Sequence, residues 1–264
     1  MKLKFATIAS SSSGNCIYLG TGSTNILIDA GLSGKKIEEG LSQLDLQGRD
    51  IDAIFITHEH IDHVDGVGVM SRRYDIPVYA TEGTWANMPK KVGDFRPSNK
   101  RAVYANENCF FNDISIKPFT IPHDASEPVG YSFMADNEKV TIATDIGHIS
   151  EEIEENIQDS TILLLESNHD INMLKNGAYP YHLKQRILGD YGHLSNIKAG
   201  DFISSNICNK LKYIFLGHLS GENNTPRLAF DTVNNILSEN GAVVGGDFGM
   251  WVACPYGVKR VVEV

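Results

Sequence analysis

Residues 56–66, "ITHEHIDHVDG", decide how this sequence is interpreted. They place four side chains with metal-binding atoms, His58, His60, Asp62 and His63, within six positions. The apolar run "IFI" just before them is typical of a strand buried on both faces. Where the chain leaves a sheet, the four side chains can turn toward one place, and imidazole and carboxylate groups suit zinc, manganese or iron. The stretch therefore predicts a metal site at a strand end, with enough donors for two ions.

The whole chain has 264 residues, of which 42% are hydrophobic, and carries a net charge of −10. This size and composition allow one large core, and no linker or repeat interrupts the chain, so we predict a single domain over residues 1–264. No apolar stretch reaches the roughly 18 residues that a bilayer span needs, and the first residues lack the apolar run of a signal peptide. We therefore predict a cytoplasmic protein with no membrane partner.

The acidic balance excludes a protein whose whole surface coats nucleic acid, because phosphate contacts need lysine and arginine on the binding face. One local basic segment, "PKKVGDFRPSNKR" at 89–101, carries five basic side chains and a single acid, Asp94. This segment is either an ordinary solvated face or a surface that guides a nucleic-acid strand. In the second case Lys90, Lys91 and Arg101 contact the substrate.

The order of predicted elements indicates the fold class. "KFATIA", "NCIYLG" and "TNILIDAG" follow one another with Gly and Ser turns between them, as hairpins do. Strands and helices then alternate, with helices predicted over 63–74 and 82–92. Consecutive strands return in the middle, and a second alternation ends the chain. Two hairpin-rich halves with helices predict an α/β fold, a four-layer αββα sandwich of two mixed sheets packed face to face.

The cluster of histidines resembles the HxHxDH motif of metallo-β-lactamase-fold hydrolases. Four further motifs resemble that family in its own order, each at a predicted strand end: Asp29 in "ILIDAG", His123 in "TIPHD", Asp145 in "TIATDIG" and His218 in "YIFLGHLS". The resemblance covers nearly the whole chain. It implies the metallo-β-lactamase fold and a cofactor of two divalent metal ions, Zn, Mn or Fe.

The resemblance also implies which of these residues bind each metal ion. One ion is held by His58, His60 and His123, and the other by Asp62, His63 and His218. Asp145 bridges the two ions, Asp62 counts among the catalytic residues, and Asp29 orients a ligand imidazole. Two cations so placed lower the pKa of a bridging water and supply the attacking hydroxide at neutral pH.

The sequence GHLS occurs twice, around His193 and around His218. The second copy follows an apolar strand and belongs to the metal motif. The first precedes a predicted helix with Ser195 or Asn196 as its cap, so that the ring and backbone amides there can face an anion; capping alone is the other interpretation. Here the chain is similar to the tRNase Z-like phosphodiesterase branch, which implies that Glu166 holds His193 in its charged form as a catalytic acid.

Spacing separates this chain from some of its relatives. His123 and Asp145 are 22 positions apart, and Asp145 and His218 are 73 positions apart. These intervals are too short for the long tRNA-binding arm or for the β-CASP insertion of specialised nucleases. We therefore predict no such insertion in the domain.

"IASSSSGNCIYLG", "LIDAGLSGKKI" and "LLLESNHD" resemble the YycJ/WalJ/VicX group of metallo-β-lactamase-fold proteins. That resemblance implies a 5′-to-3′ DNA exonuclease in replication or repair, whose metal-bridging hydroxide attacks phosphorus and whose partner is DNA rather than RNA. In the small-residue turn, Ser12, Ser13 and Asn15 can meet a phosphate, although a plain β-turn fits equally well. His169 in "SNHD" is a further candidate substrate contact.

Two other functions remain open at this point. The same metals and hydroxide serve carbonyl hydrolases, such as glyoxalase II-like thioesterases and lactonases, and Glu166 with His193 favours phosphate over these. A non-catalytic regulatory protein fits less well, because no member of the ligand set is missing. The sequence indicates neither a protein partner nor an oligomeric state.

Overall fold

The strands form two mixed sheets of seven strands each. The structure is a computed structural model that describes residues 2–264. The strands are β1 (Lys4–Ala9), β2 (Cys16–Gly20), β3 (Asn25–Ile28), β4 (Ala53–Phe55), β5 (Val78–Ala80), β6 (Lys100–Ala102), β7 (Cys109–Phe111), β8 (Ile114–Thr120), β9 (Val129–Ala135), β10 (Glu138–Ala143), β11 (Ile162–Glu166), β12 (Tyr213–Gly217), β13 (Gly249–Val252) and β14 (Val261–Glu263). The helices are α1 (Gly34–Ser42), α2 (Ile61–Val64), α3 (Val67–Tyr74), α4 (Glu82–Asn87), α5 (Glu151–Ile157), α6 (Ile171–Asn176), α7 (Tyr181–Leu188), α8 (Asn196–Asn206) and α9 (Pro226–Glu239).

The described residues group into two compact units. Unit 1 contains residues 2–120, 125–138 and 254–264, and unit 2 contains residues 121–124 and 139–253. The prediction of a single domain without an insertion stays a prediction.

The first sheet lies in unit 1 and has the order β14-β1-β2-β3-β4-β5-β6. The pairs β1–β2 and β2–β3 are antiparallel, so the predicted hairpins at the start of the chain are confirmed. From β3 to β6 the neighbours are parallel, and β3 and β4 therefore end at the same edge. The antiparallel strands β7, β8 and β9 of the second sheet also belong to unit 1.

Phe55, at the end of β4, lies where strands of both sheets meet in unit 1. Its ring stacks on Tyr79 with centroids 4.6 Å apart, and it makes edge contacts with Phe111, Tyr131 and Phe133 at 5.9–6.1 Å. Aromatic pairs of this kind contribute about 0.5–1.5 kcal/mol each beyond the burial of their area. This aromatic cluster fixes the end of β4, from which the histidine-rich loop begins.

Unit 2 is built on parallel strands. β10, β11, β12 and β13 pair in parallel, with helices in the connections between them. Every residue of β11 is buried, as expected for a parallel strand that is covered on both faces. Because parallel strands end at one edge of the sheet, side chains that follow β10, β11 and β12 come close together there.

Most of the helices begin at a side chain that accepts a hydrogen bond from the first turn, which satisfies a backbone N–H that has no partner within the helix. Ser195 does this for α8, as the sequence predicted. The other capping residues are Ser33, Thr81, Ser150, Asp170 and Thr225.

Two predicted helices are shorter than expected. The helix predicted over 63–74 is divided into α2 and α3, because the amide of Gly66 donates to the carbonyl of Ala30 at 2.8 Å instead of continuing the helix. The helix predicted over 82–92 ends at Asn87, because Pro89 disfavours helical geometry at the residue before it. A short 3₁₀ turn follows at Lys90–Val92.

Among the residues that the structure describes, no helix combines the length and the apolar character needed to cross a bilayer. The predicted cytoplasmic location stays a prediction.

Candidate metal centre

The histidine-rich loop of unit 1 gathers its imidazoles at the end of β4. His60 is the residue before α2, and Asp62 and His63 lie within that helix. The ring centroid of His58 is 4.6 Å from that of His60 and 4.1 Å from that of His63. The Asp62 Oδ2 atom lies 3.5 Å from His63 Nε2. The structure therefore brings together the four donors that the sequence grouped.

Asp29 and Thr57 fix the orientation of two of these imidazoles. His63 Nδ1 donates to Asp29 Oδ2 at 2.7 Å, and the hydroxyl of Thr57 donates to the same oxygen at 2.9 Å. Since that hydroxyl has only one proton, Thr57 Oγ1 accepts from His58 Nδ1 at 3.0 Å. Both rings then carry their lone pair on Nε2, which is the form that binds a metal. Asp29 thus contacts the imidazole of His63, as the resemblance implied for a predicted ligand, whereas Thr57 was missed by the sequence analysis.

The backbone of the loop is clamped against two other segments of unit 1. The amide of Asn15 donates to the carbonyl of Asp62 at 2.8 Å, and the amide of Gly31 donates to the carbonyl of Asn15 at 2.7 Å. Gly31 is required here because a Cβ at this position would lie 1.6 Å from the Asp62 carbonyl oxygen. The position of Asp62 therefore depends on close backbone packing.

In the serine turn, two backbone amides bind within the turn itself, and the predicted phosphate contact stays a prediction. The amides of Ser13 and Gly14 donate to the hydroxyl and the carbonyl of Ser11, so neither faces outward. The side chain of Asn15 is buried, and its Nδ2 donates to His63 Nε2 at 3.0 Å. Asn15 thus contacts the Nε2 atom of His63, and only Ser12 and Ser13 of the turn are exposed.

The predicted basic contacts are on the surface of unit 1. Lys90, Lys91 and Arg101 are exposed. Lys91 Nζ lies 3.0 Å from Asp65 Oδ1, so its charge is already paired with that of an acid.

In unit 2 a second cluster forms at the edge where the parallel strands end. Asp145 follows β10, Glu166 is the last residue of β11, His218 follows β12, and His193 precedes α8. One ligand atom of each lies within 4.8 Å of the others. His123 also faces this cluster, with Nε2 at 3.7 Å from Asp145 Oδ1.

Glu166 is the centre of this cluster. Its Oε2 accepts from the amides of Ile146 and Leu194 at 2.9 and 3.0 Å. Its Oε1 accepts from His193 Nδ1 and His218 Nδ1, both at 2.8 Å. Burial acts to raise the pKa of Glu166, but the charge of His193 and the hydrogen bonds from both imidazoles outweigh it and lower the pKa to about 2. Glu166 is therefore ionised at neutral pH.

The two GHLS histidines bind one carboxylate but differ in their surroundings. The side chain of His218 is 1% exposed, with Nε2 at 3.4 Å from Asp145 Oδ1, whereas that of His193 is 14% exposed. Because both rings donate through Nδ1, each has its Nε2 on the side away from Glu166. Two amides of the first copy already have partners: the amide of His193 donates to the carbonyl of Ile187, and that of Leu194 donates to Glu166. The predicted anion contact there stays a prediction.

Four of the predicted ligand imidazoles share one arrangement: in each, Nδ1 donates to the protein and Nε2 carries the lone pair, which in His63 accepts from Asn15 Nδ2 at 3.0 Å. The acceptor is an oxygen of Thr57, Asp29, Gly192 or Glu166, for His58, His63, His123 and His218 respectively. Two ligands about 2.1 Å from one tetrahedral cation lie about 3.4 Å apart, which is close to the separation of His218 Nε2 from Asp145 Oδ1. The donor set therefore fits divalent metal ions of the zinc or manganese kind.

A buried amide network supports the cluster of unit 2, and the sequence analysis missed it. Asn168 Nδ2 donates to the carbonyl of His218 at 2.9 Å, and Asn224 Nδ2 donates to the carbonyl of Asn168 at 3.1 Å. The hydroxyl of Ser167 donates to Asn196 Oδ1 at 2.6 Å. The repeated Ser-Asn pairs at 167–168 and 195–196 were a signal in the sequence that could have revealed this network.

His169 lies in the interior of unit 2. Its side chain is buried, and burial lowers the pKa of its imidazole to about 4, so the ring is neutral. Its carbonyl accepts from the amide of Asn196 at 3.0 Å.

Comparison with known proteins identifies the family. A family model described as "Beta-lactamase superfamily domain" matches residues 24–202. The exodeoxyribonuclease YycJ of Bacillus anthracis is 41% identical over 248 residues, which cover 94% of this chain and 94% of that protein. The chain belongs to the metallo-β-lactamase superfamily. The exodeoxyribonuclease WalJ of Streptococcus pneumoniae serotype 2 is also 41% identical, over 99% of this chain and 98% of that protein.

A solved structure supports the fold of this superfamily member. The metallo-β-lactamase fold protein YhfI of Bacillus subtilis aligns over 100% of both chains with a TM-score of 0.74 and 13% identity. The predicted fold class is confirmed, as is the resemblance to the YycJ and WalJ proteins. Membership of this family makes the chain a metal-dependent hydrolase, with divalent metal ions as its cofactor.

Three of the superfamily motif residues have a left-handed backbone. Asp29, Asp145 and His218 have φ values of 60°, 59° and 55°. Non-glycine residues in this conformation cost of the order of 1–3 kcal/mol each and are concentrated at functional sites. In each case the turn comes within two residues of a strand end and directs the side chain toward its cluster.

Proposed function

We propose that this hydrolase is a dinuclear-metal phosphodiesterase that degrades DNA from the 5′ end and acts in replication or repair. The observation that carries the proposal is the contact of Glu166 with two different histidines. One histidine, His218, faces Asp145 from a buried position, and the other, His193, keeps an Nε2 atom on its partly exposed side. The curated relatives named as exodeoxyribonucleases, which match nearly the whole chain, support DNA as the substrate.

The metal ligands that we propose come from both clusters. We assign His58, His60 and His123 to one ion, Asp62, His63 and His218 to the other, and Asp145 to both. The Nδ1 contacts support this assignment, because they leave Nε2 with its lone pair in four of the five imidazoles. When bound, two such cations lower the pKa of water and neutralise charge on a phosphate. Zinc, manganese and iron all suit these ligands.

The remaining residues have roles that follow from their contacts. Ionised Glu166 stabilises positive charge on His193 and fixes its ring, so that Nε2 can donate a proton to the leaving oxygen of a phosphodiester. Asp29 holds His63 by its Nδ1, and Thr57 does the same for His58. A carbonyl hydrolase depends less on a proton donor held at the leaving group, because a leaving group such as a thiolate departs without being protonated.

Digestion of end-labelled DNA tests the proposal directly. Single-stranded and double-stranded DNA and RNA, with 5′-phosphate or 5′-hydroxyl ends, are incubated with the protein in manganese and in zinc. We expect mononucleotides to be released progressively from the 5′ end of DNA. Internal cleavage or preference for RNA would contradict the exonuclease assignment, and hydrolysis of only a thioester or a lactone would contradict the phosphodiesterase.

Paired variants test the separate roles of the two histidines. We expect His193→Ala to lower turnover by about 10²-fold or more while the bound metal is retained, because a proton donor is lost. His218→Ala should lose bound metal as well as turnover. Asp231→Asn, which alters an exposed ion pair with Arg227 in unit 2, is the control. Loss of metal from His193→Ala would refute the distinction.

A further inference from the structure

A cavity in unit 1 is lined mainly by the basic segment at 89–101 and contains no residue of either histidine cluster. Its volume is about 250 Å³, and aromatic and aliphatic side chains from Trp85, Met88 and Phe95 line it together with Lys90 and Lys100. We call it the Trp85 pocket. Pro89 and Gly93 shape it: the proline ends α4, and the glycine has a φ of 82°, which side-chain-bearing residues rarely adopt.

The aromatic rings of the Trp85 pocket are held in fixed positions. Trp85 Nε1 donates to the carbonyl of Arg101 at 2.9 Å, which sets the plane of the indole ring. Phe95 meets that ring edge-on, with centroids 5.1 Å apart and an interplanar angle of 84°. A rigid indole that is partly exposed costs little conformational entropy when a flat ligand packs against it.

The charges around the Trp85 pocket favour an anion. Lys91 is paired with Asp65 at 3.0 Å, and Arg96 is paired with Asp75 at 2.6 Å. Lys90 and Lys100 have no carboxylate within 4.0 Å among residues 2–264. Lys100 Nζ lies instead over the rings of Trp85 and Phe95, at 5.3 and 5.9 Å from their centroids.

The only acid that lines the pocket is Asp94. Its backbone carbonyl accepts from Arg72 Nη1 at 2.9 Å, which places one more cation beside this segment. Two lysines without a carboxylate partner therefore flank an aromatic cavity, and the chemistry complements a flat base that is joined to negatively charged phosphates.

We propose that the Trp85 pocket binds one unpaired nucleobase of single-stranded DNA, with Lys90 and Lys100 contacting the adjacent phosphates. This inference rests on the proposed function, because it assigns the pocket to the DNA substrate. A cavity of this size, somewhat below the range of about 300–1,000 Å³ typical of ligand pockets, suits a single nucleobase rather than a larger cofactor. Stacking on an indole is tolerant of sequence, as a nuclease that degrades any strand requires.

Binding of a dye-labelled phosphorothioate oligothymidylate, which resists hydrolysis, to the metal-loaded protein is followed by fluorescence anisotropy and tests this assignment without digestion of the DNA. We expect Trp85→Leu to raise Kd at least about fivefold, from the usual contribution of one stacked base. The double variant Lys90→Gln/Lys100→Gln should reduce the slope of log Kd against log salt by about 1.4, since each single-strand phosphate contact contributes about 0.7. The matched control is Lys35→Gln/Lys259→Gln, which removes two exposed lysines elsewhere in unit 1 and should leave Kd unchanged.

Tryptophan fluorescence gives an independent readout. Trp85 and Trp251 are the two tryptophans of the chain, so a Trp251→Phe background makes Trp85 the single reporter. We expect the oligothymidylate to quench this signal. Circular dichroism identifies any variant that fails to fold. If Trp85→Leu does not fold, the double variant Lys90→Gln/Lys100→Gln still tests the pocket, because it changes only exposed side chains.

The outcomes separate the pocket from the function. If the wild-type protein digests DNA but Trp85 is not quenched and both pocket variants keep the wild-type Kd, the pocket assignment is refuted and the nuclease stands. If the oligothymidylate binds through Trp85 but DNA is not digested, the pocket assignment stands and the nuclease is refuted. A wild-type protein that neither binds nor digests DNA refutes both.

Discussion

Replacement of Glu166 by glutamine should disable the cluster of unit 2 without changing its shape. In the wild-type protein one carboxylate oxygen accepts from two backbone amides and the other accepts from His193 and His218. Glutamine has one oxygen and one NH₂ group. If the glutamine oxygen still accepts from the two backbone amides, the glutamine NH₂ group faces Nδ1 of both imidazoles. Each imidazole can accept a hydrogen bond from that group only if its own proton moves from Nδ1 to Nε2.

The size of this effect follows from the contacts that are lost. Each hydrogen bond to a charged group contributes about 1.5–3 kcal/mol, so the loss of two amounts to about 3–6 kcal/mol before the site relaxes. A proton on Nε2 of His218 blocks the atom that we assign to the metal. Relaxation of the site recovers part of this energy, and we expect metal affinity to fall by about 10- to 100-fold, as is usual when a group that orients a metal-binding imidazole is lost. Turnover should fall with it, because the charge that stabilises His193 is also lost.

Metal titration and hydrolysis of bis-p-nitrophenyl phosphate measure these two effects. The control is Asp231→Asn, which removes one charge from an exposed pair and should change neither quantity. If Glu166→Gln binds metal with wild-type affinity and retains wild-type turnover, the assignment of Glu166 as the residue that orients both histidines is refuted.

Three further predictions follow from the same contacts. Because the pKa of Glu166 is lowered from 4.5 to about 2 in the folded protein, its contribution to stability is present above pH 4.5 and is lost as the pH falls toward 2. Urea unfolding of the metal-free protein should therefore show that the free energies of unfolding of wild type and Glu166→Gln become closer as the pH falls over that range. A difference that stays constant with pH would contradict the lowered pKa. Asp29→Asn should lower metal affinity by about 10- to 100-fold, measured by competition with a chelator, because it weakens the acceptor that fixes His63; unchanged affinity would remove that role. Gly31→Ala should lower both the melting temperature and metal content, since its Cβ would collide with the Asp62 carbonyl; a variant with wild-type values for both would show that the loop is not clamped there.

Much of the fold could be predicted because it follows from local patterns. The antiparallel strands β1 to β3 were visible as apolar runs separated by Gly and Ser, and Ser195 was recognised as a helix cap by its residue type. The two helix errors have tertiary or local steric causes. The helix is interrupted at Gly66 because the amide of Gly66 donates to the carbonyl of Ala30, and no periodicity in the sequence reveals that partner.

The residue types of the candidate site could be predicted from the sequence, but most of the hydrogen bonds between them could not. Spacing placed donors at strand ends, and resemblance linked Glu166 with His193, a contact that the structure contains. That Glu166 also binds His218 could not be predicted, because the two residues meet only when parallel strands align their ends. The contact of Asn15 with His63 could not be predicted for the same reason, because a residue in a turn does not reveal which distant imidazole its side chain contacts.

The number of metal ions bound to the active protein tests the central claim most directly. Manganese content per chain is measured by mass spectrometry alongside DNA hydrolysis, before and after chelation and on addition of manganese. The account predicts two ions per chain in the active wild-type protein, with hydrolysis lost on chelation and restored with the second ion. Full hydrolysis by a protein that holds one ion, or none, would contradict it.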